Sequence, residues 1–152
     1  MINRGYKQGI FRPRHPEKCR SNSCVYRSGL ELHYMRYLDS NPNIISWGSE
    51  DVVIPYIKPT DNKLHRYYVD FSLTIKDKNG VLHKFIIELK PEKQCKPPTN
   101  HGNKKKSTMF YEQVTYATNQ CKWDAADQWA KKNGYKFQIM TEKQVKQLNI
   151  AK

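Results

Sequence analysis

Residues 66–90 read RYYVDFSLTIKDKNGVLHKFIIELK and predict two β-strands joined by a tight turn. Residues 66–75 and 81–90 are rich in β-branched and aromatic residues, and the KDKNG segment between them supplies turn-forming residues. Both faces of the second run are largely apolar, because Ile86 alternates with Phe85 and Ile87. We therefore expect the second strand to lie in the middle of a sheet that helices cover on both faces.

The length of the turn decides which polar side chains face each other across this hairpin. A two-residue loop would leave Asp70 and Glu88 on opposite faces of the sheet. A three-residue loop that ends with Gly80 in the left-handed region would place the two carboxylates opposite each other. Side chains two residues apart on a strand share a face, so Lys90 would join them. We expect the three-residue loop, which gathers two carboxylates and one ammonium.

Two carboxylates at cross-strand distance repel each other unless a positive charge lies between them. Asp70 and Glu88 therefore suggest a divalent cation, and hard carboxylate oxygens suit Mg²⁺ or Mn²⁺. Lys90 would then orient a water or stabilise charge that develops on a phosphate. The alternative is an ordinary ion pair of Glu88 and Lys90 on an exposed sheet face, which would contribute little to stability.

Glu31 permits two interpretations within a helix predicted in residues 26–42. With Ser28 it fits the capping-box pattern S-x-x-E, in which the Glu reaches back to the N-terminus of its own helix. It also heads an apolar face, which would point its carboxylate at the sheet, where a buried acid needs a partner. The apolar residues of that face are Tyr34, Met35 and Leu38.

The other segments complete an α/β pattern in a single domain. We expect a basic, irregular N-terminal arm over residues 1–25, before a domain of residues 26–152. Helices separated by a block of hairpin-linked strands favour a mixed sheet with helices packed on it. The remaining predicted segments are short strands at 43–47 and 51–57, a loop at 91–107, one or two helices at 108–134 ending at Gly134, a strand at 135–141 and a short helix at 142–150.

The charge distribution suggests a surface that binds a polyanion. The net charge is +13, with seven Lys/Arg against one acid in residues 1–30 and nine Lys against three acids in residues 76–106. Residues 31–75 hold four basic residues and six acids. Basic blocks around a slightly acidic middle suit a DNA-binding protein whose site needs carboxylates. The alternative is a generally basic protein with a solvated lysine run. The candidate DNA contacts are Arg12, Arg14, Arg27, Lys104, Lys105 and Lys106.

The sequence gives no sign of a membrane or secretory protein. No apolar run approaches the length of a membrane span, and the N-terminal segment lacks the apolar core of a secretory signal. We expect a soluble, intracellular protein.

The four cysteines permit a zinc site or free thiols. A zinc site would join Cys19 and Cys24 with His15 and with Cys95 or His101. The spacing of Cys19 and Cys24 is wide for zinc ligands, and the sequence has no second close pair. An intracellular protein favours reduced thiols, which we expect in this chain.

The motif formed by Val69-Asp70 and Glu88-Leu89-Lys90 resembles the PD-(D/E)xK motif of restriction-endonuclease-like nucleases, with Val69 in place of the family's Pro. Glu31 is similar to the extra acid that many members carry on the preceding helix. The order of elements is similar to the αβββαβ core of that family. Residues 26–50, the hairpin and residues 122–142 also resemble the head completion nucleases of T-even-type tailed phages, which are related to TnsA-type transposase endonucleases. The resemblance covers roughly residues 25–145.

This resemblance implies a metal-dependent DNA endonuclease with a restriction-endonuclease-like α/β fold. Asp70 and Glu88 would bind Mg²⁺ or Mn²⁺ together with the backbone carbonyl of Leu89. Lys90 would be the catalytic lysine, and Glu31 a further acid acting on the metal or its water.

The resemblance also implies a role in phage assembly. The enzyme would cut double-stranded or branched DNA at the portal of a filled head before tail joining, in contact with portal or neck proteins. It would be found in the host cytoplasm and with the virion. The alternative is a non-catalytic DNA-binding head-neck protein that kept the nuclease fold. Further candidates for assisting at the site lie on the helix after the catalytic strand, and they are Gln113, Tyr116 and Asn119.

Overall fold

A computed structural model describes residues 8–150 of the chain. The helices and strands are β1 (Gly9–Phe11), β2 (Cys24–Tyr26), α1 (Gly29–Ser40), β3 (Ile44–Ser49), β4 (Val53–Lys58), β5 (Lys63–Tyr68), β6 (Phe71–Lys76), β7 (Leu82–Leu89), α2 (Lys106–Asn133), β8 (Lys136–Met140) and α3 (Glu142–Lys146). Short 3₁₀ helices cover Pro16–Lys18 and Glu92–Cys95. Within residues 8–150, no helix has the length and apolarity needed to cross a membrane.

The main sheet has four strands in the order β3-β6-β7-β8. Strands β3, β6 and β7 are antiparallel neighbours, whereas β8 runs parallel to β7 after the crossover through α2. This confirms the predicted mixed sheet and the central position of β7. The order α1-β3-β6-β7-α2-β8 also matches the expected αβββαβ core, with the β4–β5 ribbon inserted between its first two strands.

The turn between β6 and β7 is the predicted three-residue loop. Lys76 pairs with Leu82, and the register continues without a shift to Phe71 opposite Ile87. Gly80 has a φ of +80°, the left-handed conformation that glycine adopts at low cost. Asp77 fixes the loop, because its carboxylate accepts hydrogen bonds from the backbone N–H groups of residues 79 and 81.

Alternate side chains of β7 pack into two separate cores. Ile87 and Leu89 pack in a cluster with Tyr34, Met35 and Leu38, the apolar face of α1. Ile86 points the other way, into a cluster formed largely with α2 and the β4–β5 ribbon. Burial on both faces explains the apolar character of the second half of this strand, Ile86–Leu89, whereas its first half is exposed or half-buried.

The predicted single strand over residues 66–75 is in fact two strands. β5 pairs with β4 in a separate ribbon, and β6 begins only at Phe71. Between them the Val69 N–H donates to the Val52 carbonyl and the Asp70 carbonyl accepts from the Glu50 N–H. The backbone therefore changes pairing partners at Asp70, which places this residue at a break in the strand.

The expectation of an irregular arm is wrong for residues 8–25. Strands β1 and β2 form an antiparallel pair, and the Arg20 N–H donates to the Trp47 carbonyl at 2.8 Å. The buried Asp39 carboxylate accepts hydrogen bonds from the N–H groups of Arg14 and His15. This segment is therefore held against α1 and β3, while residues 1–7 of the predicted arm lie outside the described residues.

The C-terminal half differs from the prediction mainly at the element ends. A single 28-residue helix, α2, begins at Lys106, so the predicted loop is slightly shorter and contains one 3₁₀ turn. The predicted end of α2 is confirmed, because Gly134 caps it with a φ of +77°. α3 spans only five residues and begins with a capping box between Thr141 and Gln144.

Candidate active site

Asp70 and Glu88 face each other at the end of the β6–β7 ladder. Extending the register from Phe71 opposite Ile87 by one residue on each strand puts Asp70 opposite Glu88. The Leu89 N–H donates to Asp70 Oδ2 at 2.8 Å. The Asp70 side chain therefore takes the hydrogen bond that a backbone carbonyl of a continuing strand would accept. Glu88 is 6% exposed. The strand break thus places two carboxylates side by side in a sheltered position.

The electrostatics of this pair favour a cation. Burial and, next in importance, the Glu88 carboxylate raise the pKa of Asp70 well above its usual range, while the Leu89 N–H lowers it. Two carboxylates in this position therefore resist being ionised together in the metal-free protein. Glu88 Oε1 is fully buried and has no hydrogen-bond partner among the described residues. A buried carboxylate oxygen without a donor is costly unless a ligand completes it.

Lys90 lies beside the carboxylates, as the spacing predicts. Its Nζ is 3.6 Å from Glu88 Oε2, and the Lys90 N–H donates to the Met140 carbonyl at 3.0 Å. The side chains of Lys90 and Glu88 are 22% and 8% exposed. The alternative of an ion pair on an exposed sheet face therefore does not describe this pair.

The Glu31 carboxylate takes part in the cap of α1 and also lies near the pair. Its Oε2 accepts a hydrogen bond from the Arg27 N–H at 2.8 Å, and its N–H donates to Ser28 Oγ at 3.1 Å. The capping arrangement thus uses the N–H of Arg27, the residue before Ser28. Glu31 is also one of the charges that raise the pKa of Asp70, after burial and Glu88. The hydrogen bonds support the capping interpretation, and among residues 8–150 Glu31 does not join Asp70 and Glu88 in a group of three that could hold a metal.

Asp70 and Glu88 fit a magnesium-type ion better than a metal that needs many protein ligands. Within residues 8–150, no group of three or more His, Cys, Asp and Glu side chains is arranged to hold a metal. Mg²⁺ keeps several waters and is often bound through one or two carboxylates. Asp70, Glu88 and the Leu89 carbonyl provide that kind of donor set, and the unpartnered Glu88 Oε1 is a free ligand atom.

The cysteines do not form the zinc site that was one alternative. All four are free thiols. Cys19 Sγ and Cys24 Sγ lie 3.2 Å apart, and no third ligand joins them in the part of the chain that the structure describes. Burial, first, and then the hydrogen bond with Cys19 raise the pKa of Cys24 to about 12, which opposes the thiolate form that zinc requires.

The structure adds two residues that the sequence analysis did not single out. Tyr67 of β5 is buried, and its hydroxyl lies beside the Glu88 carboxylate, although within residues 8–150 it makes no hydrogen bond of ordinary geometry. Burial, followed by the neighbouring Glu88 carboxylate, raises the pKa of Tyr67 far above its usual range. Lys122 of α2 lies 5.6 Å from the centre of the Tyr67 ring. Burial lowers the pKa of Lys122, and the Glu88 carboxylate raises it.

One sequence signal would have found Lys122. It follows Asn119 by three residues, which is the spacing of neighbours on one helix face. Tyr67 carried no such signal, because its approach to Glu88 depends on how the β4–β5 ribbon folds over the sheet.

The candidate DNA contacts lie outside this cluster, and several already have partners. Arg27 Nη1 is 2.5 Å from Glu50 Oε1, and Lys104 Nζ is 2.8 Å from Glu112 Oε2. Lys105 and Lys106 are exposed where α2 begins. Arg12 and Arg14 are also exposed, although the Arg14 backbone is bonded to Asp39.

Comparisons with known proteins show the family to which the chain belongs. Residues 41–142 match the family of the TnsA-like endonuclease N-terminal domain. The chain is 38% identical over 139 residues to the head completion nuclease of Enterobacteria phage T4, a match that covers 88% of this chain and 90% of that protein. Asp70, Glu88 and Lys90 lie within the residues that match the family, and Glu31 lies before them. The chain therefore belongs to the TnsA-like endonuclease family.

Proposed function

We propose that this chain is a metal-dependent DNA endonuclease. The observation that carries the proposal is the Asp70–Glu88 pair, in which a raised pKa and an unpartnered buried oxygen favour a bound divalent cation. Lys90 beside that pair supplies a positive charge for a phosphate. Membership of an endonuclease family supports the same reaction class.

Each residue of the site has a definite part in this proposal. Asp70, Glu88 and the Leu89 carbonyl would hold Mg²⁺ or Mn²⁺, which when bound polarises a phosphate and lowers the pKa of a water. The Leu89 N–H holds the Asp70 carboxylate in place through its 2.8 Å hydrogen bond. The Lys90 ammonium would stabilise negative charge on the attacked phosphate. Glu31 would accept a proton from the attacking water, since one of its oxygens is not used by Arg27.

We infer that the DNA substrate belongs to a phage head. The relative from Enterobacteria phage T4 is named a head completion nuclease and matches nearly its whole length. The proposed role is to cut packaged DNA at the portal before the tail joins, with portal or neck proteins as partners. The net charge of +13 suits a protein that works against DNA.

A cleavage assay tests the reaction class. Branched, linear and circular DNA are incubated with the wild type and with Asp70→Asn, in Mg²⁺ or in EDTA. We expect the wild type to cut in Mg²⁺ alone and Asp70→Asn to be inactive. Asp127→Asn is a matched control, since that carboxylate lies on α2 in a surface ion pair with Lys131. Cutting by Asp70→Asn, or tight DNA binding with no cutting by the wild type, would contradict the proposal.

A further inference from the structure

A large cavity lies next to the candidate active site. It has a volume of about 630 Å³ and lies between the segment after β7 and the first half of α2. Volumes of roughly 300–1,000 Å³ are typical of pockets that enclose a small molecule. Lys90 is close to this segment, because it precedes the lining residue Glu92 by only two positions.

The walls of the cavity are held by ion pairs and hydrogen bonds. The Glu92 N–H donates to Glu142 Oε2 at 2.8 Å, and Lys143 Nζ lies 2.5 Å from Glu92 Oε2. These contacts fix one side of the segment to α3. Lys104 Nζ, 2.8 Å from Glu112 Oε2, fixes the other side to α2. The cavity is therefore formed before any ligand arrives.

The lining combines aromatic rings with cations. Tyr111 and Tyr116 of α2 contribute rings, and Tyr111 is 71% exposed, so that one face of its side chain is open to a ligand. The lysines that line the cavity are Lys93, Lys96, Lys104 and Lys143, against the two acids Glu92 and Glu112. Flat rings among an excess of positive charge suit a ligand that has both an aromatic ring and a phosphate.

Asn119 gives the cavity a specific hydrogen-bonding group. It lines the cavity and is 6% exposed, and its amide atoms are not among the fully buried, unpartnered atoms of residues 8–150, so the amide can reach the cavity. An amide carries donors and an acceptor, and both can be offered to a ligand in the cavity. A ligand with a paired donor and acceptor on one edge, such as a nucleobase, would satisfy it.

The cavity and the carboxylate pair share one face of α2. Asn119 and Lys122 are about one helical turn apart, so their side chains lie on the same side of the helix. Lys122 Nζ lies 5.6 Å from the centre of the Tyr67 ring, and Tyr67 packs in one cluster with Ile86, two residues before Glu88 on β7. A nucleotide in the cavity would therefore be adjacent to a phosphate at the carboxylate pair.

We propose that this cavity binds an unpaired nucleotide of the DNA substrate, next to the phosphate that is cut. The base stacks on Tyr111 and bonds to the Asn119 amide, and the excess positive charge of the lining attracts the flanking phosphates. The edge of the base that would bond to the Asn119 amide is the edge that a base pair uses, so the bound base is unpaired. The inference rests on the proposed function and specifies it: the preferred substrate is DNA with single-stranded nucleotides at an end or a branch.

The test compares two DNA probes that differ only in pairing. One is a blunt duplex, and the other is the same duplex with an unpaired arm that carries 2-aminopurine, whose fluorescence falls when it stacks on an aromatic ring. Binding is measured in EDTA by fluorescence anisotropy, so that it does not depend on cleavage. We expect the wild type to prefer the arm and to quench its fluorescence. Tyr111→Ala should lower affinity for the arm by about 5- to 100-fold and leave duplex binding unchanged.

A neighbouring aromatic residue provides the control. Phe110 is 68% exposed on the same helix turn but does not line the cavity, so Phe110→Ala should keep the preference. Asn119→Ala should also lose the preference, and its melting temperature shows whether it folds. Tyr111 is exposed, so its variant folds and can decide the question alone.

Equal affinity of the wild type for the two probes would overturn the inference, as would a Tyr111→Ala protein that still quenches 2-aminopurine. Either result leaves the nuclease proposal intact if Mg²⁺-dependent cutting by the wild type is lost in Asp70→Asn. Conversely, a Tyr111-dependent preference in EDTA without any cutting would support the cavity and contradict the nuclease proposal.

Discussion

At the level of individual residues, the site is dominated by electrostatic repulsion between two carboxylates. Glu88 is held on a central strand and Asp70 at a strand break, and the fold presses them together in a place that water barely reaches. Burial and the Glu88 charge raise the pKa of Asp70, so a bound cation would relieve both the repulsion and the unpartnered Glu88 oxygen. The Lys90 ammonium, 3.6 Å from Glu88 Oε2, offsets part of the repulsion between the two carboxylates.

Removing one carboxylate should therefore separate stability from activity. We expect Asp70→Asn and Glu88→Gln to lose metal binding and to lower cleavage by at least about 100-fold, since even supporting residues of metal sites contribute about 10- to 100-fold. Without metal, both variants should melt at the wild-type temperature or higher, because the repulsion is gone.

Lys90→Ala should keep the metal but cut about 100- to 1,000-fold more slowly, since an ammonium is not a ligand.

Mn²⁺ titration calorimetry, thermal melts in EDTA and a cleavage assay on the same preparations check these expectations. Asp127→Asn again serves as the control for a surface carboxylate. Full activity of Glu88→Gln would mean that the pair is an ordinary structural feature and that the chemistry lies elsewhere.

Among the secondary structure elements, the β6–β7 turn and the N-terminal hairpin decide whether the site can form. The turn sets which residues of β6 and β7 face each other, and a shift of one residue would move Glu88 to the other face. The N-terminal hairpin packs on α1 and β3, which also carry Glu31 and the segment next to Asp70. Both elements therefore influence the site by fixing the positions of the strands and the helix that carry its residues.

Gly80→Ala tests the turn. At a φ of +80° an alanine is strained, although no atom lies within 4 Å of the position its Cβ would take. We expect a loss of about 1–2 kcal/mol in the free energy of unfolding, measured by urea denaturation. Gly29→Ala, at the exposed first turn of α1 and equally free of contacts, should be neutral or slightly stabilising. Equal effects of the two substitutions would show that the left-handed conformation does not matter.

Asp39→Ala tests the attachment of the N-terminal hairpin. The buried Asp39 carboxylate accepts hydrogen bonds from the N–H groups of Arg14 and His15, which would be left without partners. Hydrogen bonds to a charged group contribute about 1.5–3 kcal/mol each, so we expect a clear loss of stability in urea denaturation. Asp124→Ala, an exposed carboxylate on α2, should change stability little. If the two variants unfold alike, residues 8–25 are not part of the cooperative fold.

Across the molecule, DNA affinity and chemistry are assigned to different parts of the surface. The carboxylate pair carries negative charge that Lys90 offsets only in part, so the pair itself does not attract a polyanion. The net charge of +13 lies mainly elsewhere, including the exposed lysines at the start of α2. Affinity should therefore respond to salt and to surface lysines, and cleavage to the carboxylates.

Substitution of Lys105 and Lys106 by Ala should weaken binding of all DNA sequences alike. Removing one lysine that neutralises a DNA phosphate reduces the slope of log affinity against log salt by about 0.9, so the slope of the double variant should fall by up to about 2. Lys104 is kept, because it also fixes the wall of the cavity through Glu112. The control is the pair Lys131→Ala and Lys132→Ala at the other end of α2. An unchanged slope would show that Lys105 and Lys106 do not touch DNA.

The local structure and the identity of the carboxylate pair could be predicted from the sequence alone. The three-residue turn at Gly80, the end of α2 at Gly134 and the Ser28 cap of α1 all follow from interactions between residues a few positions apart. The grouping of Asp70 with Glu88 could be predicted for the same reason, since the register of a hairpin depends only on its turn.

The surroundings of that pair depend instead on the assembled fold. The break of the strand at Asp70 requires pairing with residues 50–52, and the approach of Tyr67 and Lys122 to Glu88 requires the β4–β5 ribbon and α2 to pack over one face of the sheet. The attachment of residues 8–25 depends on Asp39, which in the sequence looks like an ordinary helix residue. These contacts join residues far apart in the chain, and their energy comes from burial and charge in the folded protein, which no local pattern records.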